Sequence, residues 1–271
     1  MKNSLAGFSL LFFMSISLLF SCRSEFETIR TSNNPKKMLS EANKLYEAED
    51  YYKAITLYEL VIPSFRGQAE AEEIAYNYAY AHYYQKKYIS ASHYFKQFTN
   101  TFGNSDKKEE ADFMSAFANT RMSPTYKLDQ TFSEKAIEGL QVFVNKYPDS
   151  PRVAQCNELI DDIRAKMEKK SYETAKLYYK LKSYSSSVVA FENMLKDYPE
   201  TDKEEEIRYL VAKSSYELAQ NSVYEKKEER YLSSLEKSNL YLKKFPEGDK
   251  ESEITNFIRK SNKELEKFNN G

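Results

Sequence analysis

Residues 51–65 have the sequence YYKAITLYELVIPSF, and this stretch decides which kind of fold the chain can adopt. A tyrosine is followed three residues later by a small residue, and four residues after that by a second aromatic residue: these are Tyr51, Ala54 and Tyr58. Steps of three and four residues place side chains on one face of an α-helix. A further aromatic residue, Phe65, stands eleven positions after Ala54. We predict a helix that packs closely against a neighbouring helix at Ala54.

The same spacing of a small residue and an aromatic residue occurs five times along the chain. The aromatic residues are Phe65, Phe102, Tyr147, Tyr198 and Phe245, and the small residues eleven positions earlier are Ala54, Ala91, Ala136, Ser187 and Ser234. A bulky apolar residue stands four positions after the small one in four cases, namely Tyr58, Phe95, Leu140 and Phe191, with Ser238 as the exception. The alternative of five unrelated amphipathic helices is disfavoured, because such helices have no reason to share one offset.

This recurring pattern resembles the tetratricopeptide repeat, a helix–turn–helix unit of about 34 residues. We therefore predict an all-α solenoid of about five helix–turn–helix units with a C-terminal capping helix. The predicted units are residues 35–66, 69–103, 108–148, 151–199 and 203–246, with the cap at 251–268 and one repeat domain over 35–271. Successive aromatic residues are 37, 45, 51 and 47 positions apart, and this excess predicts lengthened helices or insertions. Two insertions are expected, at Ser123–Ser133 and Asn221–Arg230.

The composition supports a helical body and excludes several classes of protein. Only 6 Gly and 7 Pro in 271 residues argue against a β-sandwich or barrel, which needs many turns. The 40 Lys and Arg balance 41 Asp and Glu, so bulk positive charge gives no reason to expect nucleic-acid binding. Two cysteines exclude a disulfide scaffold, and 23 Tyr with 17 Phe exclude a mainly disordered chain.

The first 21 residues have the character of a secretory signal. Lys2 precedes an apolar segment, Leu5–Phe20, that corresponds to the hydrophobic region of such a signal. The end of this segment, Leu19-Phe20-Ser21-Cys22, resembles a bacterial lipobox, in which the cysteine is acylated and becomes the first residue of the mature chain. An ordinary cleaved signal or an uncleaved anchor are the alternatives. We expect residues 22–34 to form a polar tether.

The sequence offers little that points to catalysis or metal binding. His82 and His93 lie on different predicted helices, and a zinc site needs three or four converging ligands. Cys156 has no histidine base near it in the sequence, so we expect a buried thiol with a packing role. Pairs of acidic residues stand in lysine-rich helical segments and are expected to face solvent. We expect no enzymatic activity and no cofactor.

Tyrosines cluster in one predicted helix. On a helix, Tyr76, Tyr80, Tyr83 and Tyr84 lie near one face, whereas Tyr78 lies on another. Most of these side chains are expected to pack between helices. Tyrosines left on the surface of a repeat array are good peptide anchors, because the side chain is amphipathic and loses little entropy when it is held.

Several longer strings, together with Cys22, resemble the BamD family, the lipoprotein subunit of the outer-membrane β-barrel assembly machinery. The strings are Asp50–Glu59, Phe65–Gly67, Ser123–Gln130 with Ala136-Ile137 and Tyr147–Ser150, and Ala190–Pro199. The third set is similar to the form of the family found in Bacteroidota-type bacteria.

The resemblance implies a lipid-anchored, non-catalytic scaffold on the periplasmic face of the outer membrane, and Arg23 after the cysteine favours that membrane. It implies that the N-terminal repeats meet unfolded outer-membrane β-barrel proteins, with Tyr46, Tyr80 and Tyr83 as candidate groove residues. It also implies that the C-terminal repeats dock on a periplasmic domain of the barrel subunit, near Arg208 and Tyr224–Arg230. The alternative functions are a repeat lipoprotein of another envelope pathway, such as pilus assembly or cell-wall coordination, and a glycan-acting enzyme.

Overall fold

The computed structural model describes residues 25–269, with side chains to Phe268. The signal segment and the predicted lipidation site Cys22 lie outside the described residues. Twelve α-helices and one 3₁₀ turn, Ile62–Phe65, make up the regular structure of this part of the chain. The α-helices are α1 (Glu25–Arg30), α2 (Pro35–Glu47), α3 (Tyr51–Val61), α4 (Glu70–Tyr84), α5 (Tyr88–Thr101), α6 (Lys108–Thr120), α7 (Thr131–Lys146), α8 (Val153–Lys180), α9 (Tyr184–Asp197), α10 (Glu204–Gln220), α11 (Tyr224–Lys244) and α12 (Glu251–Asn269).

The helices form consecutive helix–turn–helix repeats, so the predicted all-α repeat fold is confirmed. Repeat one is α2 with α3, repeat two α4 with α5, repeat three α6 with α7, repeat four α8 with α9, and repeat five α10 with α11. The helix α12 follows as the predicted C-terminal helix and contacts α11.

The chain divides into two compact units. Among the described residues, the N-terminal unit contains 25–123 and Thr131–Ile160, and the C-terminal unit contains Pro124–Gln130 and residues 161–269. The boundary between Ile160 and Asp161 falls inside the long helix α8. Each unit has two clusters of buried apolar residues of its own.

Two of the repeat positions predicted from the sequence, the small residue and the residue four positions later, are fully buried in all five repeats. All five small residues of the pattern have no exposed surface. The residues four positions later, Ser238 included, have none either. A small side chain lets two helix backbones approach each other, and the neighbouring bulky residue fills the groove beside the contact.

A second close contact joins repeats two and three. Ser92 Oγ donates to the carbonyl of Ser115 at 2.8 Å, and Ser115 Oγ donates to the carbonyl of Ser92 at 2.9 Å. On the next pair of helices, a Cβ placed on Gly139 would lie 3.0 Å from the Cβ of Ala116. The helix α6 is therefore held close to both α5 and α7.

The turns that follow repeats two, three and four share a hydrogen-bonding arrangement that depends on a hydroxyl residue three positions after the terminal aromatic residue. The hydroxyl donates to a glutamate of an earlier helix and accepts the backbone N–H two residues further on. The three hydroxyl donors are Ser105 to Glu72 (2.7 Å), Ser150 to Glu109 (2.6 Å) and Thr201 to Glu168 (2.6 Å), and the N–H donors are those of Lys107, Arg152 and Lys203. These bonds tie each turn to the start or middle of a preceding helix.

In the last repeat this hydroxyl position is taken by Gly248. There Glu205 accepts the hydroxyl of Tyr241 at 2.7 Å and the backbone N–H of Asp249 at 3.0 Å. A Cβ on Gly248 would lie 2.5 Å from the Glu205 carboxylate, 2.6 Å from the Tyr241 hydroxyl and 3.0 Å from the Cβ of Phe245. Glycine is needed here because the glutamate and tyrosine occupy the space of a side chain.

Two segments differ from the prediction. The expected polar tether over residues 22–34 is shortened, because Glu25–Arg30 forms α1 and Ile29 is only 4% exposed in the core of repeat one. The expected insertion at Asn221–Arg230 is mostly helix, because α11 begins at Tyr224. The run Glu225–Arg230 consists of Glu, Lys and Arg, which are good helix formers and extend the helix by nearly two turns.

Of the two histidines and the free cysteine, Cys156 and His82 pack in the interior and His93 lies at the surface. Cys156 is fully buried among apolar residues, and burial raises the pKa of its thiol. His93 is exposed. His82 is 7% exposed between Tyr78 and Tyr94, at ring-centroid distances of 4.6 and 4.8 Å, and neither of its ring nitrogens has a hydrogen-bond partner.

We predict that Gly248→Ala lowers the free energy of unfolding by about 1–3 kcal/mol, because the added methyl group overpacks the Glu205–Tyr241 contact. The matched control is Gly103→Ala, where the nearest atom to the new Cβ is the mobile end of Lys108 at 3.7 Å. We expect that control to change stability by no more than about 0.5 kcal/mol. Urea denaturation followed by circular dichroism measures both, and equal effects of the two changes would contradict this account of Gly248.

We also predict that His82 makes the protein less stable in acid. Burial, together with a smaller contribution from the charge of nearby Lys87, lowers the pKa of His82 from 6.5 to about 4. Between these two pH values the unfolded chain binds a proton that the folded chain excludes, so stability falls as the pH is lowered from 6.5 towards 4, by up to about 3 kcal/mol.

The measurement is the free energy of unfolding as a function of pH for the wild-type protein and for His82→Leu. We expect the variant to have a flatter dependence over this range, and the surface variant His93→Gln to keep the wild-type slope. Parallel curves for the wild-type protein and His82→Leu would show that His82 does not titrate as described.

Candidate functional site

Five tyrosines of repeats one and two come together on the N-terminal unit. Tyr46 lies in the last turn of α2, Tyr51 begins α3, and Tyr80, Tyr83 and Tyr84 lie in the last two turns of α4. We call these five residues the tyrosine surface. Its ring centroids are 5.6 Å apart for Tyr46 and Tyr51, 4.8 Å for Tyr51 and Tyr84, 5.7 Å for Tyr80 and Tyr84, and 5.9 Å for Tyr83 and Tyr84.

Tyr84 connects the other members of the tyrosine surface. Its ring stacks on Tyr51, at an interplanar angle of 26°, and contacts both Tyr80 and Tyr83. It is 47% exposed, whereas the other four are partly buried. The structure thus brings together Tyr46, Tyr80 and Tyr83, the three groove residues proposed from the resemblance.

Two members of this surface, Tyr51 and Tyr84, were not among the candidate groove residues. Tyr51 occupies the repeat position three residues before the small residue, which only predicts packing. Tyr84 belongs to the tyrosine cluster of α4, but its contact with Tyr51 joins residues 33 positions apart. Tyr78 packs on the other side of α4 against Tyr94, as the helical spacing predicted.

A polar network borders the tyrosine surface. The Tyr80 hydroxyl donates to Glu110 Oε1 at 2.6 Å, and the same carboxylate forms an ion pair with the guanidinium of Arg152. Burial raises the pKa of the Tyr80 phenol, and the hydrogen bond to Glu110 raises it further. Burial also raises the pKa of Tyr46. The phenol proton of Tyr80 is thus already donated to Glu110, whereas the protonated phenol of Tyr46 can donate a hydrogen bond to a bound peptide.

The arrangement is suited to binding a peptide. Aromatic rings provide large contact areas with few rotatable bonds, and each well-placed aromatic pair contributes about 0.5–1.5 kcal/mol beyond its buried area. Protonated phenols can pair with the backbone carbonyls of an extended peptide. Within residues 25–269 there is no group of three or more His, Cys, Asp or Glu side chains that could hold a metal ion.

The candidate docking residues lie on the C-terminal unit but do not form one cluster. Arg208 lies in the second turn of α10, where its Nε donates to Glu204 at 2.8 Å, and Lys244 reaches the same carboxylate oxygen at 2.5 Å. Arg230 donates to Ser222 at the opposite end of α10. About twelve residues of helix, roughly 18 Å, separate these two ends.

Tyr224 is the most exposed of the three docking candidates. It begins α11, is 68% exposed, and its ring lies 5.0 Å from that of Phe268. Val223 beside it is 63% exposed. The two arginines have intramolecular partners, whereas Val223 and Tyr224 present exposed apolar side chains.

In the described part of the chain, no helix combines the length and hydrophobicity that a membrane crossing requires.

Comparison with known proteins gives one family. The model of a family described as outer membrane lipoprotein, YfiO, matches residues 31–229 and 167–269. Among solved structures, the chain is similar to the TPR2AB-domain:pHSP90-complex of yeast Sti1, with 15% identity and a TM-score of 0.38 over 84% of this chain and 98% of that one, a likeness too distant to inform function. Among curated proteins none matches significantly. Because the family match extends over most of the sequence, the chain belongs to the YfiO family of outer membrane lipoproteins, the BamD family.

Proposed function

We propose that the protein is a non-catalytic scaffold of the machinery that inserts β-barrel proteins into the outer membrane. Its membership of the YfiO family, over residues that include all five repeats, carries this proposal. Under this proposal, an acylated Cys22 holds the mature chain at the periplasmic face of the outer membrane. Two or more acyl chains anchor a protein firmly, because each buried CH₂ contributes about 0.8 kcal/mol.

The tyrosine surface is the proposed contact for unfolded barrel proteins. A transmembrane β-strand alternates apolar and polar residues and carries aromatic residues near its ends. Before it is inserted, such a strand exposes an apolar side chain at every second position, together with all of its backbone carbonyls. The stacked rings of Tyr51 and Tyr84 can contact the apolar side chains, and the neighbouring phenols can bind carbonyls.

The C-terminal unit is the proposed contact for the barrel subunit. Val223 and Tyr224 form an exposed apolar pair at the start of α11, followed by the charged residues Glu225–Arg230. An apolar centre with a charged rim is the usual composition of a protein–protein interface.

The resemblance to the Bacteroidota-type form of the family stays a prediction.

The first test is depletion of the protein from living cells, combined with affinity isolation after mild crosslinking. We expect the amounts of outer-membrane barrel proteins to fall and the barrel subunit to be recovered with this protein. Unchanged amounts of barrel proteins, or recovery of pilus or cell-wall proteins in place of the barrel subunit, would assign the scaffold to another envelope pathway.

The second test concerns the tyrosine surface. We predict that Tyr84→Ala weakens binding of a peptide from the last strand of a barrel protein roughly tenfold, or about 1.4 kcal/mol, because Tyr84 connects the other rings. The control is Tyr178→Ala, which removes a tyrosine of similar exposure (38%) from the C-terminal unit. Fluorescence anisotropy of the labelled peptide measures both affinities, and a loss that is equal in the two variants would argue against a site on the tyrosine surface.

A further inference from the structure

The folded helix α1 holds the N-terminal unit close to the predicted anchor. Ile29 is buried in the core of repeat one, and Lys53 Nζ lies 5.9 Å from the ring centroid of Phe26. The chain between Cys22 and Glu25 comprises three residue steps, which span at most about 11 Å when extended. An acyl group on Cys22 would therefore keep the end of the unit that contains Phe26 within about 14 Å of the lipid headgroups.

Exposed apolar side chains lie at this same end of the N-terminal unit, where α2 turns into α3 and α4 turns into α5. Tyr52 and Ile89, in the first turns of α3 and α5, are each 66% exposed. Lys87 Nζ lies 5.9 Å from the ring centroid of Tyr52, and this contact joins the two turns. We call Phe26, Tyr52, Lys53, Lys87 and Ile89 the anchor-side edge.

The charges of this end suit a phospholipid surface. Lys86 and Lys87 are exposed and no ion pair engages them in the described structure. Lys53 pairs with Asp50 at 2.7 Å, and Glu47 and Glu49 are the exposed acidic residues where α2 turns into α3. Lysine stems can lie along apolar surface while their ammonium groups reach phosphates, and tyrosine is enriched at the membrane–water interface.

We propose that the anchor-side edge rests on the phospholipid headgroups of the membrane that holds the lipid anchor, so that repeats one and two have a defined orientation towards the bilayer. This proposal depends on the acylation of Cys22 within the proposed function. The short reach of the chain brings the edge to the headgroups, and Tyr52 and Ile89 then enter the interface. Tyr51, the neighbour of Tyr52, points to the tyrosine surface, which this orientation places next to the membrane.

The experiment uses tryptophan as a reporter, since the chain contains no tryptophan of its own. The acylated protein carrying Tyr52→Trp or Ile89→Trp is reconstituted into vesicles of phosphatidylethanolamine and phosphatidylglycerol with brominated acyl chains. The control is Leu60→Trp, which replaces a residue 46% exposed on the same helix as Tyr52 but eight positions, or about 12 Å, further along.

We expect blue-shifted emission and a loss of fluorescence to bromine for Tyr52→Trp and Ile89→Trp, and neither effect for Leu60→Trp. Equal quenching of all three variants, or quenching of none, would overturn the proposal.

Mass spectrometry of the mature N-terminus shows whether Cys22 is acylated, and so separates a negative quenching result from a missing lipid anchor. If Cys22 carries no acyl group, the thiol of Cys22 is coupled to a maleimide lipid and the same three variants are compared. The buried Cys156 does not compete for that reagent, because it has no exposed surface. Neither readout depends on barrel assembly, so the depletion experiment can fail while this one succeeds.

Discussion

The fold depends on the close approach of helices at positions that admit only a small side chain. Ala54, Ala91, Ala136, Ser187 and Ser234 have no exposed surface. A larger residue at any of them would push two helices apart and cost about 1–3 kcal/mol. The bulky residue one turn later, such as Tyr58 or Phe95, fills the space beside each contact. Because the spacing of these two positions is constant, the second helix of each repeat buries the same pair of positions.

This constraint also determines which aromatic residues remain available for function. The residues that fill the grooves are fully buried and cannot contact a ligand. The tyrosine surface consists of aromatic side chains that lie beside these positions, at the ends of α2 and α4 and at the start of α3. Their rings contact one another because the close approach of repeats one and two brings the end of α4 to the start of α3, where Tyr84 stacks on Tyr51.

The turns between repeats add a polar constraint to the apolar one. Ser105, Ser150 and Thr201 each join a turn to a glutamate of an earlier helix, so that the carboxylate and the backbone N–H of the turn are both satisfied. At Gly248, which has no hydroxyl, other groups take its place. There Tyr241 and the N–H of Asp249 bind the glutamate directly.

Much of the repeat architecture was predictable from the sequence, because the positions of small and aromatic residues along a helix fix which face is buried. Local composition misled the prediction at two segments. Residues 25–30 are polar enough to suggest a tether, yet Ile29 and Phe26 pack against the core of repeat one. The run Glu225–Arg230 carries too much charge to indicate burial, but charged helix formers can extend a helix that is exposed on that side.

By itself the sequence determined the all-α class, the repeat positions and the buried thiol of Cys156. Its resemblance to one family also indicated an outer membrane lipoprotein. The tertiary structure alone decided that Tyr46, Tyr51 and Tyr84 meet, that Arg208 and Arg230 lie at opposite ends of α10, and that α1 brings Phe26 to Lys53. Helical spacing predicts which side of one helix a residue occupies. The contacts between helices depend on how closely their backbones approach and on where each turn ends, and these are set by packing across the whole repeat.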